Sequence, residues 1–232
     1  MKKLTLIFLI IFSVLFANAQ EKKDTLYQLP KVWAIGIKAN AGASMVDYNF
    51  GSGALVVYSN KLQGAFNGGM YFNNILNDNE SFCFEILFLQ MNGLLHQDFS
   101  FTDSLGNPGS VNTDDYYHLS YLSIPLYYKY SISKFSIGIG VQVSYLLGSK
   151  DEFHYSVLEY GQASDTSYTV KNLPITKFDY GPKLMLFYQL SNKLSLSLDY
   201  YYGLQNLYND VNSLGITEKN QQFSFGVAYR LY

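Results

Sequence analysis

The 232-residue sequence predicts an all-β fold: an eight-stranded antiparallel up-and-down transmembrane β-barrel, preceded by a cleavable signal peptide. Three observations carry this reading. Apolar side chains recur with a period of two along about eight segments. Charged residues are scarce at 15% while aromatic residues reach 17%, against about 25% charged in an ordinary soluble domain. The connections between segments alternate between short and long, as in barrels with tight turns at one end and loops at the other.

The first element is an export signal. Met1-Lys2-Lys3 is a basic start, Leu4 to Phe16 is almost unbroken apolar sequence, and Ala17-Asn18-Ala19 fits a small-x-small cleavage site that leaves Gln20 first. The apolar run is shorter than the ~20 residues a spanning helix needs. No cysteine follows the site, so it is not a lipoprotein signal. Removing Lys2 and Lys3 takes the net charge from −2 to −4. Residues 1–19 are therefore read as signal peptide, 20–31 as a short periplasmic segment and 32–232 as the barrel domain. Beyond the signal no stretch suits a membrane helix, which leaves a secreted soluble β protein or a barrel.

The strands follow in order. Trp33 to Val46, Lys61 to Asn73, Ser81 to Leu95 and Tyr117 to Tyr130 alternate imperfectly. Phe135 to Leu147, Phe178 to Leu190, Leu194 to Leu204 and Phe223 to Leu231 alternate cleanly. In the third of these, Leu194, Leu196, Leu198, Tyr200, Tyr202 and Leu204 interleave with Ser195, Ser197, Asp199, Tyr201 and Gly203. Several exceed the ~5–6 residues of soluble strands and reach the ~9–11 that cross a tilted bilayer. Short connections fall at 74–79, 131–134 and 191–193. Long ones fall at 47–60, 97–116, 151–176 and 205–220. Both barrel termini then share the short-turn end. Phe153, Tyr155 and Val157, with Tyr168 and Val170 beyond a turn at 161–165, predict a hairpin rising above the membrane. Phe99 and Phe101 before Leu105-Gly106-Asn107-Pro108-Gly109 suggest another.

Periodicity does not say which face meets water; composition does. The non-apolar positions are mostly Gly, Ser, Ala, Asn, Gln and Tyr, too few of them ionic for a solvated surface and small enough for a narrow lumen. The apolar face ends in aromatics, Trp33, Phe72, Tyr130, Phe135 and Phe178, as interfacial girdles do. The charges assigned to the lumen are Lys38, Glu85, Lys129, Asp179, Lys183, Asp199 and Arg230. Their mixed signs predict a structural ion-pair network filling the barrel.

Tyr121-Leu122-Ser123-Ile124-Pro125-Leu126-Tyr127-Tyr128-Lys129-Tyr130 resembles the Y-L-x-I-P-L-x-x-K-Y strand of the PorT-like outer-membrane β-barrel family. Phe178-Asp179-Tyr180-Gly181, Leu194 to Asp199 and Tyr202-Gly203-Leu204-Gln205-Asn206 are similar to its F-D-x-G … L-x-L-x-x-x-Y-x-x-G-L-x-N stretch. Glu85 with Gly93 resembles its E-L … G strand, and Phe225 to Leu231 its x-G-V-x-Y-R-F ending. The likeness spans residues 32–232. Leu231 stands where a final aromatic is usual, and Ser123 replaces a common acid. The resemblance implies an eight-stranded outer-membrane barrel; some relatives are linked to protein secretion and gliding, and no active site is carried over.

The remaining chemistry is sparse. Cys83 is the only cysteine, so no internal disulfide and no thiolate zinc cluster form. His96, His118 and His154 lie on the long-loop side, His96 near Asp98 and His118 near Asp115, without a nucleophile motif. The acidic loop residues (Asp47, Asp98, Asp103, Asp114, Asp115, Asp151, Glu152, Glu159, Asp165, Asp210 and Glu218) lack calcium-loop spacing. Gly51-Ser52-Gly53 is not a phosphate loop. The expectation is a non-enzymatic outer-membrane barrel without cofactor or metal, structural or part of a secretion or envelope complex through its long loops. Its partners would be outer-membrane lipid and other envelope or secretion proteins; nucleic acid is excluded by the absence of a basic patch. The alternatives are a narrow channel or small-solute binder, and a rim-located hydrolase or acyltransferase.

Overall fold

In the structure, a computed structural model, alternation in sequence becomes alternation of side chains between a lumen and an exterior. It describes residues 33–49, 57–102, 108–159, 162–208 and 217–231, all in the unit Val32–Tyr232. The signal peptide, the 20–31 segment and Gly51-Ser52-Gly53 lie outside these residues.

Nine strands are described: β1 (Trp33–Asn49), β2 (Val57–Ile75), β3 (Glu80–Thr102), β4 (Pro108–Ile132), β5 (Phe135–Glu159), β6 (Gln162–Lys171), β7 (Phe178–Gln189), β8 (Leu194–Tyr202) and β9 (Thr217–Arg230). Eight close a ring. Each of β1 to β5 pairs antiparallel with the next, β5 pairs with β7, then β8 and β9 follow, and β9 returns to β1 with Ala39 opposite Val227. Closure matters because hydrocarbon offers no hydrogen bonds; a ring leaves no strand edge to satisfy. The ninth strand, β6, is not a stave. It pairs with the upper half of β5, Lys150 to Glu159, while the lower half of β5, Phe135 to Tyr145, pairs with β7. It is the hairpin expected above the membrane, although its strand begins at Gln162, inside the segment read from sequence as a turn.

The exterior of the membrane zone is apolar. Ile37, Phe66, Phe88, Ile124, Ile139, Leu186 and Phe225 are exposed, whereas Ser197, Asp199 and Tyr201 on β8 are buried. At the short-turn end Trp33 meets Phe84 edge-on, Phe72 stacks on Phe84 at 4.5 Å, and Phe135 packs on Tyr188 at 4.8 Å. At the other end Tyr145 meets Phe178 at 5.1 Å. These two belts bracket the hydrocarbon. Tight turns join β2–β3, β4–β5 and β7–β8 at one end. In the second, Ser133 takes φ 55°, a left-handed conformation suited to a two-residue hairpin.

The long connections proved to be largely strand. β3, β4 and β5 run 23, 25 and 25 residues, against about 11 needed for the crossing. Asp47, Asp98, Asp114, Asp115, Asp151, Glu152, Asp165 and Glu218, read from sequence as loop acids, therefore sit on β1, β3, β4, β5, β6 and β9. Above the hydrocarbon the outward positions become polar, Asn92, His118, Lys150 and Glu152 among them. Many inward positions there become apolar, Met91, Leu95, Tyr117 and Leu119 among them. A strand that leaves the membrane meets water, and its polarity reverses to that of a soluble sheet.

Candidate functional site: the lumen and its two mouths

Alternate residues of the ring meet across a narrow lumen, and at mid-height they form one ionic layer. Lys38 of β1 lies 2.7 Å from Asp199 of β8 and 3.1 Å from Glu85 of β3. Lys183 of β7 is 3.6 Å from Asp199 and donates to Gln142 at 2.9 Å. Tyr127 donates to Glu85 at 2.9 Å, Asn40 to Asp199 at 3.0 Å and Ser197 to Asn40 at 3.0 Å. Glu85 is 0% exposed and Lys38, Lys183 and Asp199 are 3% exposed, so two cations and two anions balance in a dry layer. Charge removed from water needs this neutrality.

The seven lumen candidates do not form one network. Four of them, Lys38, Glu85, Lys183 and Asp199, make the layer. Asp179 sits higher, where Asn220 donates to it at 2.8 Å and to the Tyr121 hydroxyl at 3.1 Å. Lys129 and Arg230 lie lower, in the wall of a cavity of about 240 Å³ at the short-turn mouth. The periodicity that put all seven on one face carries no information about height.

Above Asp179 an apolar cluster fills the lumen. Val46, Leu89, Met91, Leu95, Tyr117, Leu119, Tyr121 and Tyr201 are buried together with Ile175 and Leu207. The last two come from the β6–β7 and β8–β9 connections, which fold into the mouth and bond to each other through Thr176 N–H and the Leu207 carbonyl at 2.7 Å. Sequence reading missed this plug. Its signal was present, since Leu87, Leu89 and Met91 put apolar residues on the inward parity of β3.

Three carboxyls lie buried around the plug: Asp115, Asp151 and Glu218. They stand above the hydrocarbon, at the level of Lys150, Glu152 and Lys219. Burial, with Asp114 adding, pushes Asp115 up to about 6. Burial and then Asp115 push Asp151 to about 7. Burial pushes Glu218 to about 7. Burial likewise raises Tyr208 to about 12, with Asp151, Glu218 and Asp115 all contributing.

The histidines face outward on the extension. His96 Nδ1 is 2.6 Å from Asp114 and its Nε2 is 3.1 Å from Asp98. His118 Nδ1 is 3.0 Å from Asn92 and its Nε2 3.9 Å from Glu152, not near the inward Asp115 as its sequence position suggested. Glu152 also pairs with Lys150. His154 sets its ring against Tyr116 at 5.4 Å. Ser59 stands opposite His96 in the ladder, but both imidazole nitrogens of His96 are engaged by carboxylates. Cys83 is buried near the opposite mouth and donates to Asn73 at 2.9 Å.

A closed antiparallel ring with an oily exterior and a filled lumen defines a membrane-spanning β-barrel protein. The family model for the outer membrane protein beta-barrel domain matches residues 18–209, and the chain belongs to that family; its place is the cell outer membrane. No curated protein matches it. Among solved structures it is similar to Neisserial surface protein A (TM-score 0.40, 12% identity, covering 85% of this chain and 97% of that one). It is also similar to Ail, the attachment invasion locus protein of Yersinia pestis (TM-score 0.35, 14% identity, 86% and 97%), and to OprG of Pseudomonas aeruginosa (TM-score 0.34, 9% identity, 86% and 95%).

Proposed function

We propose that the protein is a non-enzymatic outer-membrane barrel of the PorT-like kind. It is exported by a cleaved signal peptide and serves as a structural or contact component of a protein-secretion or envelope complex. The observation that carries this reading is the combination of a filled lumen with a sheet that rises above the membrane. An ionic layer and an apolar plug occupy the bore, which argues against bulk transport. The extension of β3, β4, β5 and β6 bears an apolar groove lined by Phe99, Phe101, Val111, Tyr155 and Val157. Phe99 and Tyr155 are exposed there, and Phe153 stacks on Tyr168 at 4.8 Å beside them. Exposed aromatics grouped on a rigid sheet are the usual anchors of protein contacts. This groove, rather than acidic loops, is the proposed contact surface.

The test is affinity capture from detergent-solubilised outer membranes, comparing the native protein with Phe99→Asp/Tyr155→Asp, alongside secretion assays on a deletion strain. A co-purifying envelope protein lost from the double variant, with a secretion defect on deletion, supports the reading. Single-channel conductance in planar bilayers would replace it with a narrow channel. Turnover of lipid or peptide that depends on His96 would replace it with a rim enzyme.

A further inference from the structure

The cavity at the short-turn mouth has its acids at the rim and two cations deeper in its wall: Asp78 is exposed on the β2–β3 turn, and Glu80 accepts from Asn77 beside it. Its floor is the ionic layer, where Lys38 is matched by Glu85 and Asp199. Its wall carries Lys129 from β4 and Arg230 from β9, both half-buried. Neither is ion-paired to a carboxylate among the described residues. Arg230 and Lys129 act on each other electrostatically, and Glu85 of the layer, without pairing to Lys129, partly offsets that repulsion. Lipid surrounds the wall, so these charges reach solvent only through the mouth, and like charges that share the cavity repel.

No side-chain hydrogen bond of either cation to another described residue is seen, and the way each is held is consistent with that. The Lys129 ammonium sits over the Phe187 ring, 5.5 Å from its centroid, a contact that uses the charge and not the N–H groups. Arg230 faces the Tyr71 phenol, whose ring packs where a side chain on Gly36 would stand. A structural salt bridge would look different, with its donors consumed by carboxylates as those of Lys38 are.

We propose that this cavity is a binding site for the phosphate or carboxylate group of a small periplasmic molecule. The anion would lie between Lys129 and Arg230, with the guanidinium fork taking two oxygens and the ammonium a third. At about 240 Å³ the space admits a small ligand and excludes a folded partner. This site lies on the opposite face of the membrane from the extracellular groove and does not depend on it.

The test is a titration of the protein in lipid nanodiscs with inorganic phosphate and, separately, succinate, read by NMR shifts and calorimetry. Saturable binding of either, with shifts confined to the cavity, is expected, and the tighter of the two identifies the class of ligand. Lys129→Met/Arg230→Gln should weaken it at least about tenfold, and Lys61→Gln, exposed at the opposite end of the barrel, should change it little. Folding of the double variant is checked by Trp33 emission and heat-modifiable mobility. No saturation by either anion at about 10 mM overturns the proposal. Binding that survives in the folded double variant, or that is lost equally with Lys61→Gln, overturns it too.

Discussion

Lys38 is the cation on which the ionic layer turns, and Lys38→Met tests how that layer holds. The substitution keeps an unbranched side chain of similar length and removes the charge. Asp199 would keep Lys183 at 3.6 Å and Asn40 at 3.0 Å. Glu85 would keep only the Tyr127 hydroxyl at 2.9 Å. The loss therefore falls on Glu85, a carboxylate 0% exposed with one neutral donor left. Stranding one member of a buried pair costs about 3–5 kcal/mol. The second step is asymmetric. Adding Glu85→Gln restores neutrality, since Lys183 and Asp199 remain as a pair, and should recover at least about half of that cost. Adding Asp199→Asn instead leaves Lys183 and Glu85 without a contact between them and should recover little. The assay is reversible urea unfolding in lipid vesicles, followed through Trp33, the only tryptophan. A Lys38→Met cost below about 1 kcal/mol, or equal recovery in the two double variants, would refute the pairing described.

Other outcomes follow from the same geometry. Leu198→Arg places a charge midway along the outer face of β8, between Leu186 and Phe225, and should cost about 2–4 kcal/mol in vesicles, measured by the same unfolding. Leu119→Ala in the plug should cost about 2–5 kcal/mol and speed hydrogen exchange at Thr176, whose N–H bonds to Leu207 of the same cluster. Asp151 and Glu218 are raised to about 7 and Asp115 to about 6. Acids raised on folding bind more protons folded than unfolded, so their support is full below about pH 4 and is lost as pH rises through 6 and 7. Hydrogen exchange at the extracellular mouth should accordingly slow between pH 8 and pH 5, after correction for the intrinsic rate. Asp151→Asn/Glu218→Gln should flatten that dependence.

How much of this was legible in the sequence depends on where each residue sits relative to the membrane. Within the hydrocarbon, the contrast between Leu196 or Leu198 and Ser197 or Asp199 states which side of β8 is which, because lipid and lumen make opposite demands. Above it the contrast fades. Along 97–102 and 108–116 the outside faces water and the inside mixes Phe99 and Phe101 with Asp115, so Asp98, Ser100 and Asn112 read as loop although they belong to paired strands. β6 was legible only in part: Tyr168 and Val170 marked its hairpin, but all ten of its residues are exposed, so residues 162–165, where the strand begins, read as turn. At the candidate sites, parity identified the inward charges. Register, which sequence does not show, decides that Lys38 reaches Glu85 and Asp199 while Lys129 and Arg230 stand apart in the lower cavity. The plug residues Ile175 and Leu207 come from connections whose positions are set only once the ring has closed.

The claim beneath all of this is that the apolar side of each stave touches hydrocarbon while the other side is sealed in the bore. Spin labels placed singly along β8, in a Cys83→Ser background reconstituted in bilayers, test it most directly. Labels at 196, 198 and 200 should collide with oxygen, which concentrates in lipid, and not with a water-soluble nickel complex. Labels at 197 and 201 should be inaccessible to both. Nickel accessibility at 196 and 198, or oxygen accessibility peaking at 197 and 201, would contradict the account.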